Sequence, residues 1–458
     1  IDNSCEGLID ESFIAVPFAY ATVQDGIDAA ANGDIVCVAA GTFTETISFD
    51  GKAITVMGQG VGQTIIDGGG SGPVVAFDQD ESGDSVLDSL TVQGGANVSD
   101  GAGVYVSGTS PTLQNLEIAN HSCENRTRCR GVGIFLFESQ ATLKDVEVHS
   151  NYSAPSSAST TALLTASGAG IYAALSEGEW ENVDVHDNRI AIGTNGVQPG
   201  EAQAAGAGIY ITVGEIVATA IWSSGNSISQ LAGAYYMDAM GAGLFTTGGA
   251  NVFSDLVVDE NSTDLDDGGA TFGGGIGLKQ DDSTFGQTRV TSNSSDGDTN
   301  FGSGIGIYYQ SAPTFSNLVV ADNRVTSEAN SGYGAVWVYD SSTLSIFNAD
   351  IYANRNEAGG EQFAGGIYSG SQADLYFTNV SIVENAAAQA GAVSTDGTGA
   401  VKIYYGNIYG NTSPEFSGMS SPEGGDGNIA VHPQYSLSEG PAVDWDFSLT
   451  EGSRCIDA

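Results

Sequence analysis

A segment of the type Gly-x-Gly-Ile-Tyr returns ten times along this 458-residue chain, and nothing else in the sequence restricts its folding as much. The copies run from Gly-Ala-Gly-Val-Tyr at 101 through Gly-Val-Gly-Ile-Phe at 131 and Gly-Ala-Gly-Ile-Tyr at 168 and 206 to Ala-Gly-Gly-Ile-Tyr at 364 and Ala-Gly-Ala-Val at 390. Their second-position residues, Gly103, Gly133, Gly170, Gly208, Gly243, Gly275, Gly304, Gly334, Gly366 and Ala392, lie 26 to 38 residues apart. An asparagine follows each at an offset of 17 to 20: Asn120, Asn151, Asn188, Asn226, Asn261, Asn293, Asn323, Asn354, Asn385 and Asn411. Between the two markers sits a short alternating segment such as Thr-Leu-Lys-Asp-Val-Glu-Val at 142 or Asn-Leu-Val-Val at 317, and period-two alternation predicts strands.

No segment of these repeats carries apolar residues at i, i+3, i+4 and i+7 without a Gly or Ser interruption, which excludes the helical solenoids. One coil per repeat remains. Strands, tight turns and an Asn-marked corner complete a circuit whose backbone pairs with circuits about 4.8 Å above and below, while Ile, Val and Leu point inward. The prediction is an all-β chain folded as a parallel β-helix. Glycine supplies the turn into the strand and leaves room where coils stack closely. Asparagine is expected to take the left-handed conformation at its corner and to bond the asparagine of the next coil, making a structural ladder. At the front, 20–33 places Val23, Ile27 and Ala30 on one helical face and ends on Asn-Gly, which predicts a short capping helix. The chain therefore divides into a cap over 1–35, first coils over 36–100, regular repeats over 101–415 and a closing segment over 416–458, read as one continuous domain.

Composition narrows the partners. With 56 Asp and Glu against 12 Lys and Arg, the net charge of −44 leaves little to hold a phosphate backbone, so no nucleic acid is expected. A hydrophobic content of 41% with only 15% charged residues still permits a core. No run of about 18 apolar residues occurs, so no membrane insertion is expected, and the start at Ile1 without a signal-like segment reads as a mature chain. The five cysteines, Cys5, Cys37, Cys123, Cys129 and Cys455, lack zinc-site spacing and are read as disulfide candidates of an oxidising compartment. Cys123 with Cys129 can close a short loop and Cys5 with Cys37 is a candidate pair, which leaves one cysteine over.

The opening stretches Ala-Thr-Val-Gln at 21, Gly-Asp-Ile-Val at 33, Gly-Thr-Phe-Thr-Glu at 41, Ile-Thr-Val-Met-Gly at 54 and Thr-Ile-Ile-Asp-Gly at 64 resemble the entry cap and first coils of secreted bacterial right-handed β-helix proteins of the pectate-lyase-like superfamily. The Gly-Gly-Ile-Tyr and Asn repeats resemble those of polymorphic outer-membrane and other surface proteins, and the ending from Asp446 resembles the close of such domains. The resemblance covers essentially the whole chain and implies right-handed coiling and an extracellular, cell-surface location. It does not imply one activity, because this scaffold carries lyases, hydrolases, adhesins and structural proteins alike.

Enzyme chemistry finds little support. A lyase of this superfamily is expected to carry a basic residue beside a carboxylate-held calcium, yet the few Lys and Arg residues do not cluster outside the Arg126-Thr-Arg-Cys-Arg130 loop. Of the polygalacturonase-type motifs only paired acids are present, at Asp266-Asp267 and Asp281-Asp282, so no catalytic residue is assigned and the reading leans away from an enzyme. His149 and His186 stand two residues before Asn151 and Asn188, with Glu147 and Asp184 on the same strands. Stacking would bring them within metal-binding reach, although a solvated pair is the simpler reading. Asp264, Asp266, Asp267, Asp281, Asp282, Asp296 and Asp298 crowd carboxylates into successive coils, which suits Ca²⁺ or, equally, a solvated acidic face.

Alternation points Tyr105, Phe135, Tyr172, Tyr210 and Phe245 outward as an aromatic column, interrupted at Gly277 and Gly306 and resumed by Tyr368. Exposed, it would bind sugar rings or another protein; the alternative is that the long loops of the same coils fold back and bury it. The functional expectation is an extracellular structural or adhesive surface or matrix protein that contacts other copies of itself, cell-surface proteins or glycans. Filaments assembled end to end are one version, with Cys455 linked to Cys5 or Cys37 of the next molecule. The competing expectation is a polysaccharide-binding or polysaccharide-degrading β-helix protein.

Overall fold

The computed structural model describes residues 13–156, 163–193, 202–231, 237–265, 269–326, 330–438 and 440–455. The chain divides into two compact units, the first built from 1–202 and 207–222 and the second from 203–206 and 223–458.

In the first unit one circuit runs through the strands Thr112–Ala119, Ser122–Glu124, Arg128–Arg130 and Ile134–Phe137, and Thr142–His149 starts the next. These four strands belong to four sheets, called I to IV here in that order. Pairing is parallel and in register, Leu113 with Leu143, Leu116 with Val146 and Ile118 with Val148 in sheet I, and Ile134 with Ile171 in sheet IV. The second unit repeats the circuit, with Val252–Asp259, Thr284–Thr291, Thr314–Ala321, Thr343–Tyr352 and Asp374–Val383 as its sheet I. Each unit is a right-handed parallel β-helix, the sense in which a strand, its return path and the next parallel strand pack. In-register stacking puts like on like in the interior, as in the Phe253–Phe285–Phe315 stack with ring centroids 5.2 and 4.4 Å apart. A short helix, α1 (Val23–Ala29), precedes the coils; the Thr22 hydroxyl accepts from the Asp25 amide at 3.0 Å, and Val23, Gly26 and Ile27 are buried.

The asparagine marker occupies the corner between sheets I and II. In the second unit each ladder asparagine donates both its backbone N–H and its amide to the carbonyl oxygen of the next, from Asn226 through Asn261, Asn293, Asn323, Asn354 and Asn385 to Asn411, at 2.9 to 3.1 Å. In the first unit Asn151 does the same to Asn188. Two expectations are corrected here. The left-handed conformation belongs to the residue before the asparagine, such as Ser150 (φ 55°), Asp187 (φ 53°) or Ser292 (φ 54°), and not to the ladder residue. Asn120 is one of those preceding residues, with φ 58°, so the ladder position of its coil is His121, whose N–H donates to Asn151 Oδ1 at 3.1 Å.

The paired glycines have two separate causes. Gly131 sits at φ +53°, open to glycine at little cost. Gly133 has ordinary dihedrals, but a Cβ there would lie 2.7 Å from the Gly170 carbonyl oxygen and 2.9 Å from Asn151 Nδ2. The first glycine makes the turn, and the second makes room for the ladder. A second left-handed column, unforeseen in the sequence, bends the long sheet I strands at their middle: Ser89, Asn115, Asp145, Asn182 and Ala220 in the first unit, and Asp255, Gln287, Asn317, Asn348 and Asn379 in the second.

Candidate ligand-binding cleft

The predicted aromatic column exists in register and is largely covered, the second of the two readings the sequence allows, although the cover comes from the rings themselves and Arg130. In the first unit Tyr105, Phe135, Tyr172 and Tyr210 stack with centroids 5.1 to 5.3 Å apart, and Phe135 and Tyr172 are only 2% and 7% exposed. Arg130, held by Asp100 at 2.9 Å, lays its guanidinium over Phe135 and Tyr172. Burial pushes the Tyr210 phenol up to about 12. These ring faces are spent on one another. Phe245 and Tyr368, in the second unit, are buried as well.

The second unit is where aromatic surface opens. Register places Phe245, Gly277, Gly306, Trp337 and Tyr368 in one column of sheet IV. The two glycines are not gaps. A Cβ on Gly277 would lie 2.8 Å from the Phe245 ring and 3.1 Å from the Phe272 carbonyl oxygen, and one on Gly306 would lie 2.7 Å from the Gly273 nitrogen and 3.0 Å from the Phe301 carbonyl oxygen. Sheet III approaches so closely there that its own aromatics, Phe272 and Phe301, take over the ring stack at 4.9 Å. The result is a cleft of about 570 Å³ that sheets III and IV line together.

Its walls are Met240, Phe272, Phe301 and Tyr333 from the sheet III side and Tyr308, Trp337 and Tyr368 from sheet IV, with Lys279, Asp238 and Asp340 as charged groups. Tyr309 and Tyr339 form the rim and are 52% and 39% exposed. Trp337 stacks on Tyr339 at 5.1 Å and tilts against Phe301 at 4.6 Å. Among the described residues its indole N–H is buried without an acceptor. Lys279 Nζ lies over the Tyr309 ring at 5.1 Å. Burial, with Asp396 and neighbouring phenols adding to it, pushes Tyr368 up to about 12, and burial raises Tyr333, so both remain hydrogen-bond donors at ordinary pH. Apolar faces with a few polar tips are the chemistry of a small-ligand pocket of this size.

Another groove of about 570 Å³ in this unit, along sheet I and the segment around Tyr435, presents mostly satisfied polar groups: Asn379 donates to Asn348, Asn348 to Asn317, and the Tyr435 hydroxyl to Asp350 at 2.6 Å. It offers a ligand less than the aromatic cleft.

Among the described residues, the acids read as a calcium set lie at two different corners. Asp264 and Asp296 are register partners in sheet II, and Asp298 accepts from Asn330 at 3.1 Å. Asp281 and Asp282 lie at a different corner, between sheets IV and I, where Asp281 accepts from the Ser283 amide and Asp282 from the Ala312 amide. Asp266 and Asp267 lie outside the described residues. Cys123 and Cys129 form a disulfide. Cys37 is also disulfide-bonded, which corrects its assignment as a link between molecules, and Cys5 lies outside the described residues. Cys455 is a free thiol, half-buried beside Asn407.

Sequence reasoning missed Trp337, Tyr308, Tyr309, Phe272, Phe301, Tyr333 and Tyr339. One signal was available, because Met240, Phe272, Phe301, Tyr333 and Phe363 all stand directly before a Gly or Ala marker. Trp337 was hidden by Gly-Tyr-Gly-Ala-Val, where Ala335 and not Gly334 stands at the second-glycine position, so the outward position lies one residue later. Among the described residues no helix is long and apolar enough to cross a membrane. No protein-family model matches the chain and no curated protein matches it, so what stands established is the parallel β-helix architecture itself.

Proposed function

We propose that this is an extracellular adhesive β-helix protein that holds a neutral glycan in the aromatic cleft of its second unit. The observation that carries this reading is the gathering of Tyr308, Tyr309, Trp337 and Tyr339 around one cleft, with the Tyr309 and Tyr339 rings exposed at its rim. Pyranose rings offer an apolar face to aromatic rings, and their hydroxyls match the Asp238 and Asp340 acceptors. The net charge of −44 repels polyanionic chains and so favours uncharged sugars. The disulfides suit an oxidising compartment.

The test is calorimetric titration with a panel of neutral and acidic oligosaccharides, while chain ends are monitored for cleavage. Saturable binding of a neutral oligosaccharide without new ends is expected, and Tyr309→Ala and Tyr339→Ala should each weaken it about tenfold, or about 1.4 kcal/mol. Both side chains are at the rim, so the fold survives their loss. Binding indifferent to both substitutions, or no binding across the panel, overturns the reading; new reducing or unsaturated ends would replace it with an enzyme.

A further inference from the structure

We propose that the first unit carries a second, separate site, which binds one divalent transition-metal ion of the zinc type through His149, His186, Glu117 and Glu147. Register in sheet I places Glu117, Glu147 and Asp184 in one outward column and His149 and His186 in the next. The two imidazoles stack with centroids 4.8 Å apart and planes 3° from parallel. Both direct Nε2 at the carboxylates: His186 Nε2 is 2.9 Å from Glu147 Oε1, and His149 Nε2 is 3.1 Å from Glu117 Oε1 and 4.0 Å from Glu147 Oε1.

Two features of this arrangement ask for a cation. The first is hydrogen-bond accounting. His186 Nδ1 lies 3.0 Å from Asp187 Oδ2, so both ring nitrogens of His186 face carboxylates, and a neutral imidazole has one N–H to give. Either a second proton on the ring, donated from Nε2 to Glu147, or a metal ion bound at the Nε2 edge in its place lets both carboxylates face it. An imidazole whose far nitrogen is fixed by a carboxylate is the usual outer shell of a metal-bound histidine. His149 has the same arrangement in weaker form, with Ser150 Oγ 3.1 Å from its Nδ1.

The second feature is charge. Three carboxylates stand in register on neighbouring strands, a costly placement for like charges. Among the described residues no Lys or Arg forms an ion pair with any of the three. Two stacked imidazolium rings would balance part of that charge while repelling each other, whereas one divalent ion at the Nε2 edge balances it without that repulsion. Mixed imidazole and carboxylate donors suit zinc, nickel or copper, while calcium and magnesium gain nothing from the imidazoles. The donors stand at hydrogen-bonding separations, and the described residues hold no ready-made ligand set, so binding exchanges two imidazole–carboxylate hydrogen bonds for coordinate bonds.

The experiment strips the full chain with chelator and titrates it with zinc chloride at pH 7.5, with calcium in large excess to occupy carboxylates elsewhere. One zinc per chain is expected, weakened at least tenfold by His149→Ala and by His186→Ala and unchanged by His432→Ala, a histidine of the second unit. Both cluster histidines are partly exposed at strand ends, and unchanged far-ultraviolet spectra identify folded variants. Zinc uptake that calcium abolishes, that the two substitutions leave intact, or that does not occur at all overturns the site.

Discussion

Replacing Asn293 by Ala is expected to lower the unfolding free energy of the second unit by about 4 kcal/mol, measured by denaturant titration. Asn293 is fully buried and works in both directions. Its amide donates to the carbonyl oxygens of Val258 and Thr291 at 2.9 Å and to Asn323 Oδ1 at 3.0 Å, while its own Oδ1 accepts the N–H and the amide of Asn261. Alanine strands groups on two neighbouring coils at once. A buried group left unpaired costs about 1–3 kcal/mol, so two or three such groups reach the stated loss without any cavity contribution. Asn293→Asp keeps the shape and the acceptor but removes both donors and buries a charge, and it should destabilise at least as much. A loss below about 1 kcal/mol for both variants would mean that the ladder is incidental to the stacking of coils.

That ladder also marks how far the sequence could be read. A buried asparagine at a fixed offset from Gly-x-Gly is visible because stacking imposes one geometry on every coil, so the coil, the strands, the interior and α1 are all legible as periodicity. What periodicity cannot show is which of two adjacent residues takes the left-handed turn. Asn120 and His121 illustrate this, since asparagine is itself a good left-handed residue and imidazole can stand in for the amide. The site is less legible than the fold for a related reason. Outward positions are not repeated, and whether an outward aromatic is open or covered depends on the neighbouring sheet. Phe135 is closed by Arg130 from sheet III, while the coils of Trp337 form a cleft with an open Tyr309 and Tyr339 rim because Gly277 and Gly306 admit Phe272 and Phe301 beside them. Neither contact has a sequence separation that a repeat pattern would flag.

His121 gives the first unit an acid sensitivity that its ladder would otherwise lack. The ring is buried, accepts the Gly95 amide on Nδ1 at 2.9 Å and sits with Nε2 3.0 Å from the Val92 carbonyl oxygen, which fixes the neutral form with its proton on Nε2. Desolvation by burial holds its pKa down at about 4, against the ordinary 6.5, with the Val92 carbonyl and Asp67 opposing the shift only in part. Between those two values the unfolded chain binds a proton that the folded chain does not, so stability is full above pH 6.5 and falls as the pH drops toward 4. The loss across that window is about 3 kcal/mol at about 1.4 kcal/mol per pH unit. His121→Asn puts the ladder amide in that place, with a carbonyl for the Gly95 N–H and donors for Asn151, and it titrates nowhere in this range. Stability curves of the two proteins from pH 7.5 to 4 should therefore converge or cross as the pH falls, the difference between them cancelling the titration of every other group. Parallel curves would show that His121 is protonated in the folded chain without penalty, and that the corner is open to water.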